Sequence, residues 1–428
     1  MANLLQTLLP RALRLLFPGI KVSFVFDRRD IMLPQQPEGI NLYVHLPFCR
    51  NICHFCPYVR IPYNAELSSV YQKTILRELE SYKRIWGDIQ IESVYFGGGT
   101  PSLTPEIVET TMSWLASNFH LNNEAGIEIH PLDVDKTTIR IIKDCGITKA
   151  SLGVQSYNDK LLKILGRGYN GITATRASEY LLQSGFTTVD IDLIFAIPSQ
   201  KIDELDNDME TSMRLGAQQI SAYPLIPFSY TLINSFLKNN GLASPSWALE
   251  KRMLALIVQK ARDSGYRRTS IWSFNLPNTC RYTTVTKDTF IGIGAGASSR
   301  AGDYFWVNTF SVPDYIKAVV GNSPARALAT RLNEGDKMAY WLFWQCYNTV
   351  IDTDYFHTLF RKDLPYRLNT VFSLLDSMRI VQRGKNTIQI TDTGAYLYHL
   401  VEKIYSHAYL EKLWQACSRE PWPSRIVL

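Results

Sequence analysis

From residue 40 onward, short runs rich in β-branched and aromatic residues alternate with longer stretches of helical pattern. The β-rich runs fall at 41–46, 92–96, 127–130, 149–154, 188–194, 219–224 and 268–271. Helical patterns occupy 69–84, 105–118, 136–145, 173–184, 202–215 and 246–264. Gly146, Gly185 and Gly265 each close a helical stretch just before a strand, the usual C-terminal stop. Strand–helix alternation of this kind argues for a parallel sheet with crossover helices. About six such units fall short of an eightfold barrel. The expectation is therefore an α/β fold, a partial (β/α)6 barrel.

Parallel α/β folds place their chemistry at the C-terminal ends of the strands. Cys49 follows the first run, Gly97–Pro101 the second and Gln155 the fourth. Around Cys49 the chain reads FCRNICHFC, so that Cys49, Cys53 and Cys56 stand in a C-x3-C-x2-C pattern. Random placement of seven cysteines would give that spacing with a probability of about 0.002. A structural zinc site wants four ligands, commonly as two C-x2-C pairs, and His54 lies poorly between two of the cysteines. Three thiolates on one loop suit a [4Fe–4S] cubane whose fourth iron stays open. Phe55 would shield such a cluster. The other four cysteines, Cys145, Cys280, Cys346 and Cys417, are scattered and read as small buried apolar residues. An odd total of seven does not describe a secreted disulfide framework.

Further motifs follow in order: GGGTP at 97–101, EIHP at 128–131, SLGVQS at 151–156, GR at 166–167, DLIFAIP at 192–198 and GIGAGAS at 292–298. Together with the cysteine loop they resemble the radical S-adenosylmethionine (SAM) superfamily, and within it the oxygen-independent coproporphyrinogen III dehydrogenase group. That group includes the dehydrogenase, a haem chaperone and class C methyltransferases. The resemblance covers about residues 40–300. It implies that a reduced cluster cleaves SAM to a 5′-deoxyadenosyl radical, which abstracts hydrogen from substrate. It also implies roles by motif position. Tyr43, Gly98, Gly99 and Thr100 would contact SAM, with Phe55 near its adenine. Glu128 would bind the first SAM, and Gln155 and Asp192 its ribose. Arg167 would pair with a carboxylate, which its planar fork suits. Ser298 would lie near a second SAM or the substrate. A low-potential flavodoxin or ferredoxin is the implied electron donor. No catalytic proton donor stands out.

Two departures narrow the activity. The dehydrogenases usually carry a fourth cysteine two residues after the third, and Pro57 and Tyr58 follow Cys56 here. The chaperone's H-N-x-x-Y-W segment is absent from 278–288. These departures favour a class C-type methyltransferase that uses two SAM molecules on an unactivated sp2 carbon. Its substrate would be a small, hydrophobic aromatic molecule, best read as a menaquinone ring. A porphyrin-acting enzyme, either dehydrogenase-like or haem-degrading, and a haem-binding chaperone are the alternatives.

Residues 1–39 form an N-terminal extension in which Leu4, Leu5, Leu8, Leu9, Leu13, Leu15, Leu16 and Phe17 interleave with Arg11, Arg14 and Lys21. The apolar run is too short to span a bilayer. It either lies on a membrane surface, with its basic residues towards headgroups, or packs on the protein body. A cytoplasmic chain, peripheral on the inner membrane face under the first option, is the expectation. A net charge of +6 without a run of five basic residues argues against nucleic acid. The barrel is expected over 40–310 and a mostly helical, winged-helix-like domain over 320–428. In the latter, helical patterns at 334–349, 354–360, 368–378 and 394–407 flank a small hairpin around Arg383, Gly384, Lys385 and Asn386.

Overall fold

The computed structural model describes residues 21, 23–34, 37, 39–122, 124–283 and 287–428. The leucine-rich N-terminal segment therefore lies outside the described residues. No helix among the described residues is long and apolar enough to cross a membrane.

Six strands build the barrel: β1 (Ile40–Leu46), β2 (Gln90–Gly98), β3 (Ala125–Ile129), β4 (Lys149–Gln155), β5 (Thr188–Phe195) and β6 (Gln219–Pro224). Each is parallel to the next in chain order. The crossovers are helical: α1 (Ala65–Trp86), α2 (Pro105–Asn118), α3 (Lys136–Asp144), the pair α4 (Asp159–Leu165) and α5 (Gly171–Gln183), and α6 (Ile202–Arg214). Local chemistry starts several of them. The Asn64, Asp135, Asn158 and Asn170 side chains accept hydrogen bonds from N–H groups of the first turns of α1, α3, α4 and α5. After β6 come α7 (Leu232–Asn239) and α8 (Trp247–Asp263).

The expected strand over 268–271 is instead part of a hairpin. Arg267–Arg268 and Ser273–Asn275 pair antiparallel, and Ser273–Asn275 also runs antiparallel to β6. The intervening residues look like strand in sequence because Ile271 and Trp272 are large and apolar. Tertiary contacts claim them: the Ile271 N–H donates to Tyr347 O at 2.9 Å, and Ser270 Oγ accepts from the Ser273 N–H at 3.1 Å.

A seventh parallel strand, β7 (Phe290–Ile293), pairs with the other side of β1. Antiparallel strands Ser298–Ala301, Tyr304–Asn308 and Arg326–Arg331 extend the sheet from there. Val25–Asp27 and Arg425–Val427 complete that edge, pairing with each other. The sheet is open, in keeping with a partial barrel.

The strands divide their faces by alternation. Leu152, Ile191, Leu193 and Ile220 are fully buried in the main apolar core with residues of the crossover helices. Each such side chain contributes roughly 1.5–3 kcal/mol by leaving water. The register pairs Glu128 with Ser151, Ser151 with Asp190, Asp190 with Gln219, and Asp192 with Ser221. These polar residues share the opposite face and make a polar lumen.

Beyond the barrel lie α9 (Val312–Val320), α10 (Glu334–Tyr347), α11 (Thr353–Phe360), α12 (Tyr366–Ser377), α13 (Asp392–Tyr405) and α14 (Glu411–Arg419). Val350–Asp352, Thr387–Ile390 and Val381–Arg383 form a separate three-stranded sheet, with the hairpin where the sequence places it. Trp341, Phe356, Leu368 and Phe372 give this part its own core. We propose that the boundary near residue 320 is one of packing rather than of sheet, because Arg326–Arg331 and Arg425–Val427 belong to the main sheet.

One buried polar chain fastens α13 to the barrel. Trp272 Nε1 donates to His399 Nδ1 at 3.1 Å, so His399 carries its proton on Nε2 and donates to Glu250 Oε1 at 2.9 Å. Lys403 Nζ donates to both Glu250 oxygens at 2.6 and 2.8 Å. Burial opposes the Glu250 charge, yet the His399 and Lys403 hydrogen bonds hold its carboxyl below the ordinary value. Removing one member leaves a buried polar group unpaired, which is the costly case. His399→Ala is expected to lower stability by about 3 kcal/mol in chemical denaturation; a loss under about 1 kcal/mol would show that α13 is held by apolar packing alone.

Candidate active site

The cysteine loop leaves the C-terminal end of β1 and is pinned at its neck. Phe48–Cys49 pairs parallel with Ile61–Pro62, the Ile61 N–H donates to Pro47 O at 2.7 Å, and the Tyr63 N–H donates to Cys49 O at 2.9 Å. His54 is a clip rather than a ligand. Its N–H donates to Leu165 O, its Nδ1 bonds Ile164 O at 2.9 Å, and its ring stacks on Phe236 at 4.5 Å. Gly166 must be glycine at this contact: its φ is +71°, and a Cβ would lie 2.8 Å from the His54 ring.

Cys49, Cys53 and Cys56 are free thiols that interact electrostatically with one another. Burial pushes the Cys49 thiol up and the Cys56 thiol up to about 12, while Arg60 favours both thiolates. Thr100 Oγ1 donates to Cys49 Sγ at 3.5 Å, and Arg167 Nη1 donates to Cys53 Sγ at 3.1 Å. Donors and cations turned towards three thiols fit an anionic thiolate-ligated cluster. Among the described residues no three His, Cys, Asp or Glu side chains converge on a single-ion site. A four-iron cubane is larger than one ion and does not ask them to.

Arg167 joins the loop to the lumen. Its Nη2 donates to Gly153 O at 2.6 Å and its Nε to Tyr169 Oη at 2.9 Å. Burial works against its charge, but Tyr169 and Cys53 more than offset that and keep the guanidinium protonated. The Gln155 amide is a close neighbour of Arg167 around Gly153, and Gln155 itself adopts φ +68°, a rare backbone state for a residue with a Cβ.

Below this bridge sit Glu128 and Asp192. Glu128 accepts from Tyr95 Oη at 3.1 Å and from the Gly98 N–H at 3.2 Å. Asp192 accepts from Ser151 Oγ at 2.7 Å. Burial, together with the charge of Asp192, pushes Glu128 up to about 7. Burial likewise lifts Asp192 to about 7. Tyr43 stacks on Tyr95 and bonds His45 Nδ1 at 3.1 Å, and His45 Nε2 then donates to Val59 O at 2.8 Å.

The structure thus gathers Cys49, Cys53, Cys56, Thr100, Gln155, Arg167, Glu128, Asp192 and Tyr43 around one lumen mouth. The GGGTP glycines also pack against the protein itself. A Cβ on Gly99 would meet Pro47 C at 2.7 Å, and one on Gly98 would meet the His45 ring at 2.6 Å. They thus permit a close approach to the neck of the cysteine loop. Phe55 packs in a side cluster with Leu161, Ile194 and Ile233. Ser298 begins a strand opposite Val307, and no hydrogen bond among the described residues ties it to Glu128 or Asp192. Its neighbouring glycine loop is instead pinned by Glu78, which accepts from the Gly294 N–H, Asn308 Nδ2 and Tyr315 Oη. Cys280, expected buried, is exposed. His45, Ser151, Arg60 and Asp190 were not singled out in sequence. The only signal for Asp190 was its i, i+2 spacing from Asp192 on a strand.

Glu128 titrates near 7 in the fold against an ordinary 4.5, so the folded chain holds a proton that the unfolded chain has lost between these values. That contribution to stability is complete below about 4.5 and disappears as pH rises through about 7. Glu128→Gln is expected to flatten this part of the stability–pH curve in denaturant titrations. An unchanged slope between about pH 5 and 7 would show that Glu128 is not the group responsible.

Residues 43–211 match the family model of the radical SAM superfamily. The chain is 28% identical over 290 residues to the heme chaperone HemW of Lactococcus lactis, covering 66% of this chain and 75% of the relative. It is 27% identical over 339 residues to the oxygen-independent coproporphyrinogen III oxidase of Pseudomonas aeruginosa, covering 73% of each. Among solved structures, coproporphyrinogen III oxidase (HemN) of Escherichia coli aligns with a TM-score of 0.72 at 21% identity, over 86% of this chain and 90% of that one. The fold is shared across nearly the whole length. Over residues 43–211 the chain thus matches the radical SAM superfamily model, and a [4Fe–4S] cluster and S-adenosylmethionine are the cofactors that go with that match.

Proposed function

We propose that this chain is a radical SAM enzyme that carries out oxidative chemistry on a tetrapyrrole. The observation that carries the reading is the position of Tyr58. It stands where the dehydrogenases usually have a fourth cysteine, and it feels the charges of Cys56, Glu128 and Asp192. Yet its residue surface is 52% exposed. Tyr58 therefore lies at an accessible surface beside the cysteine loop. Aromatic rings line that surface: Tyr58 lies against Trp414 at 5.7 Å, Trp414 against Phe228 at 6.1 Å, and Tyr230 Oη donates to Pro57 O. A broad aromatic wall suits a large flat macrocycle. Relatives named for coproporphyrinogen III and for heme support the same substrate class.

The methyltransferase and menaquinone expectations gain nothing from those relatives, so a porphyrin-type substrate replaces the small aromatic one. When bound, the cluster and SAM supply one-electron reductive cleavage and hydrogen abstraction. The chain's own residues position the parts. Cys49, Cys53 and Cys56 would hold the cluster. Tyr43, Gly98, Gly99 and Thr100 would meet the methionine end of SAM, with Phe55 and Ser298 at the margins. Glu128 would bind its amino group, Gln155 and Asp192 its ribose, and Arg167 a carboxylate. Mouth residues from α14 and the loop after β6 would limit water.

The test is anaerobic incubation of reconstituted protein with SAM, dithionite and coproporphyrinogen III. 5′-Deoxyadenosine should accumulate and the tetrapyrrole should change mass. Cys53→Ala should lose both products together with the iron. Formation of S-adenosylhomocysteine with a methylated quinone, or tight heme binding with no SAM cleavage, would overturn the proposal.

A further inference from the structure

At the floor of the lumen three buried side-chain atoms, Asp190 Oδ1, Arg281 Nε and Tyr282 Oη, have no hydrogen-bond partner among the described residues. Residues 280–282 cross the N-terminal ends of the strands as a strap. Thr188 Oγ1 at the start of β5 donates to Cys280 O at 2.6 Å, and Lys149 Nζ at the start of β4 donates to Arg281 O at 3.1 Å. Gln219 at the start of β6 takes the Tyr282 N–H at 2.9 Å and donates to Tyr282 O at 3.0 Å. The strap is thus bonded to three successive strands, and the Tyr282 ring closes the floor against Gly126, where a Cβ would come within 2.9 Å of it.

Arg281 is the one cation on this strap. Its Nη1 donates to Asn348 Oδ1 at 2.6 Å, which fixes the guanidinium, while its buried Nε has no partner among the described residues. Asp190 is 1% exposed on the same floor. Its Oδ2 accepts from Ser221 Oγ at 2.7 Å and Gln219 Nε2 at 2.9 Å, but its Oδ1 is buried without a partner. The two groups lie close enough for the Arg281 charge to act on the Asp190 carboxyl, with Tyr223 and Tyr347 beside them. Burial and the neighbouring Asp192 drive Asp190 well above the ordinary carboxyl range, which favours its neutral, donating form. Unsatisfied groups in a buried setting cost roughly 1–3 kcal/mol each, and a single ligand group that reached both would relieve both. An alcohol or carbonyl would satisfy Asp190 and leave the Arg281 charge uncompensated. A carboxylate satisfies both, accepting from the guanidinium through one oxygen and from the Asp190 hydroxyl through the other.

We infer that Arg281 and Asp190 form an anchoring subsite at the lumen floor for a ligand carboxylate, which, resting on the tetrapyrrole reading above, is a propionate of the macrocycle. The subsite lies at the opposite end of the strands from the cysteine loop. It therefore fixes the orientation of the ligand rather than taking part in the chemistry.

The experiment is a fluorescence titration of the reconstituted protein with coproporphyrin III, which has four propionates, and with its tetramethyl ester. Wild type should bind the acid about tenfold or more tightly than the ester, the difference expected for a charged hydrogen bond. Arg281→Gln should abolish that preference and leave ester affinity unchanged, so the ester reports that the variant is folded. Arg281→Lys, which keeps the charge and loses the fork, should retain part of the preference. A full acid preference in Arg281→Gln, or equal binding of acid and ester by wild type, would overturn the subsite while leaving the tetrapyrrole reading in place. Wild type that binds neither compound would overturn the tetrapyrrole reading and the subsite with it.

Discussion

The Arg167 guanidinium is the contact on which the rest of the site depends. It donates to Cys53 Sγ on one side and to Gly153 O on the other, so one buried cation ties the cysteine loop to the interior of the sheet. A buried cation is tolerable only when its donors are used and negative groups lie near. Tyr169 takes its Nε, Cys53 Sγ accepts from its Nη1, and Asp192 lies near enough to feel its charge. The local backbone serves this placement. Gly166 turns in the left-handed region over the His54 ring, and His54 is itself bonded to the end of α4 through Leu165 and Ile164. A change anywhere in that clip would move the guanidinium, and with it the relation between the thiols and the lumen.

The barrel was legible because its strands obey one period and its crossovers another. Thr188 and Gln219 open their strands where the β-rich runs begin, and the cysteine spacing marked the loop at the end of β1. What escaped the sequence reading was decided by partners distant in the chain. Ile271 and Trp272 have strand composition, but their backbone and side-chain bonds go to Tyr347 and His399, more than 70 residues away. The pairing of Val25–Asp27 with Arg425–Val427 joins the two ends of the chain, which no local pattern signals. Within the site, the thiol ligands and the acidic lumen residues follow from motif order. The packing of the GGGTP glycines does not. Only the fold shows that Gly99 is pressed on Pro47. Asp190 and Arg281 belong to no motif, and their relation appears only when the 280–282 strap is laid across β4, β5 and β6.

A lumen carrying Glu128, Asp190 and Asp192 looks at first hostile to a broad, largely apolar ligand. Protonation removes the difficulty. Burial raises all three carboxyls, Glu128 and Asp192 to about 7 and Asp190 well above the ordinary range, so the interior carries less negative charge than its composition implies. The tyrosines around them, Tyr95, Tyr223, Tyr282 and Tyr347, are pushed towards the neutral phenol for the same reason, burial first. Neutral hydroxyls and carboxyls can donate as well as accept, and the aromatic rings supply apolar area. Charge then remains concentrated at two places, Arg167 beside the thiols and Arg281 on the floor. Arg167 is already engaged by Cys53, Gly153 and Tyr169, so Arg281 is the cation left to answer an anionic group of a ligand whose aromatic body lies on the neutral wall. A small quinone ring lacks the anionic groups that would answer the second cation. On the tetrapyrrole reading proposed above, this pattern of charge, rather than the size of the barrel, would separate the two substrate classes.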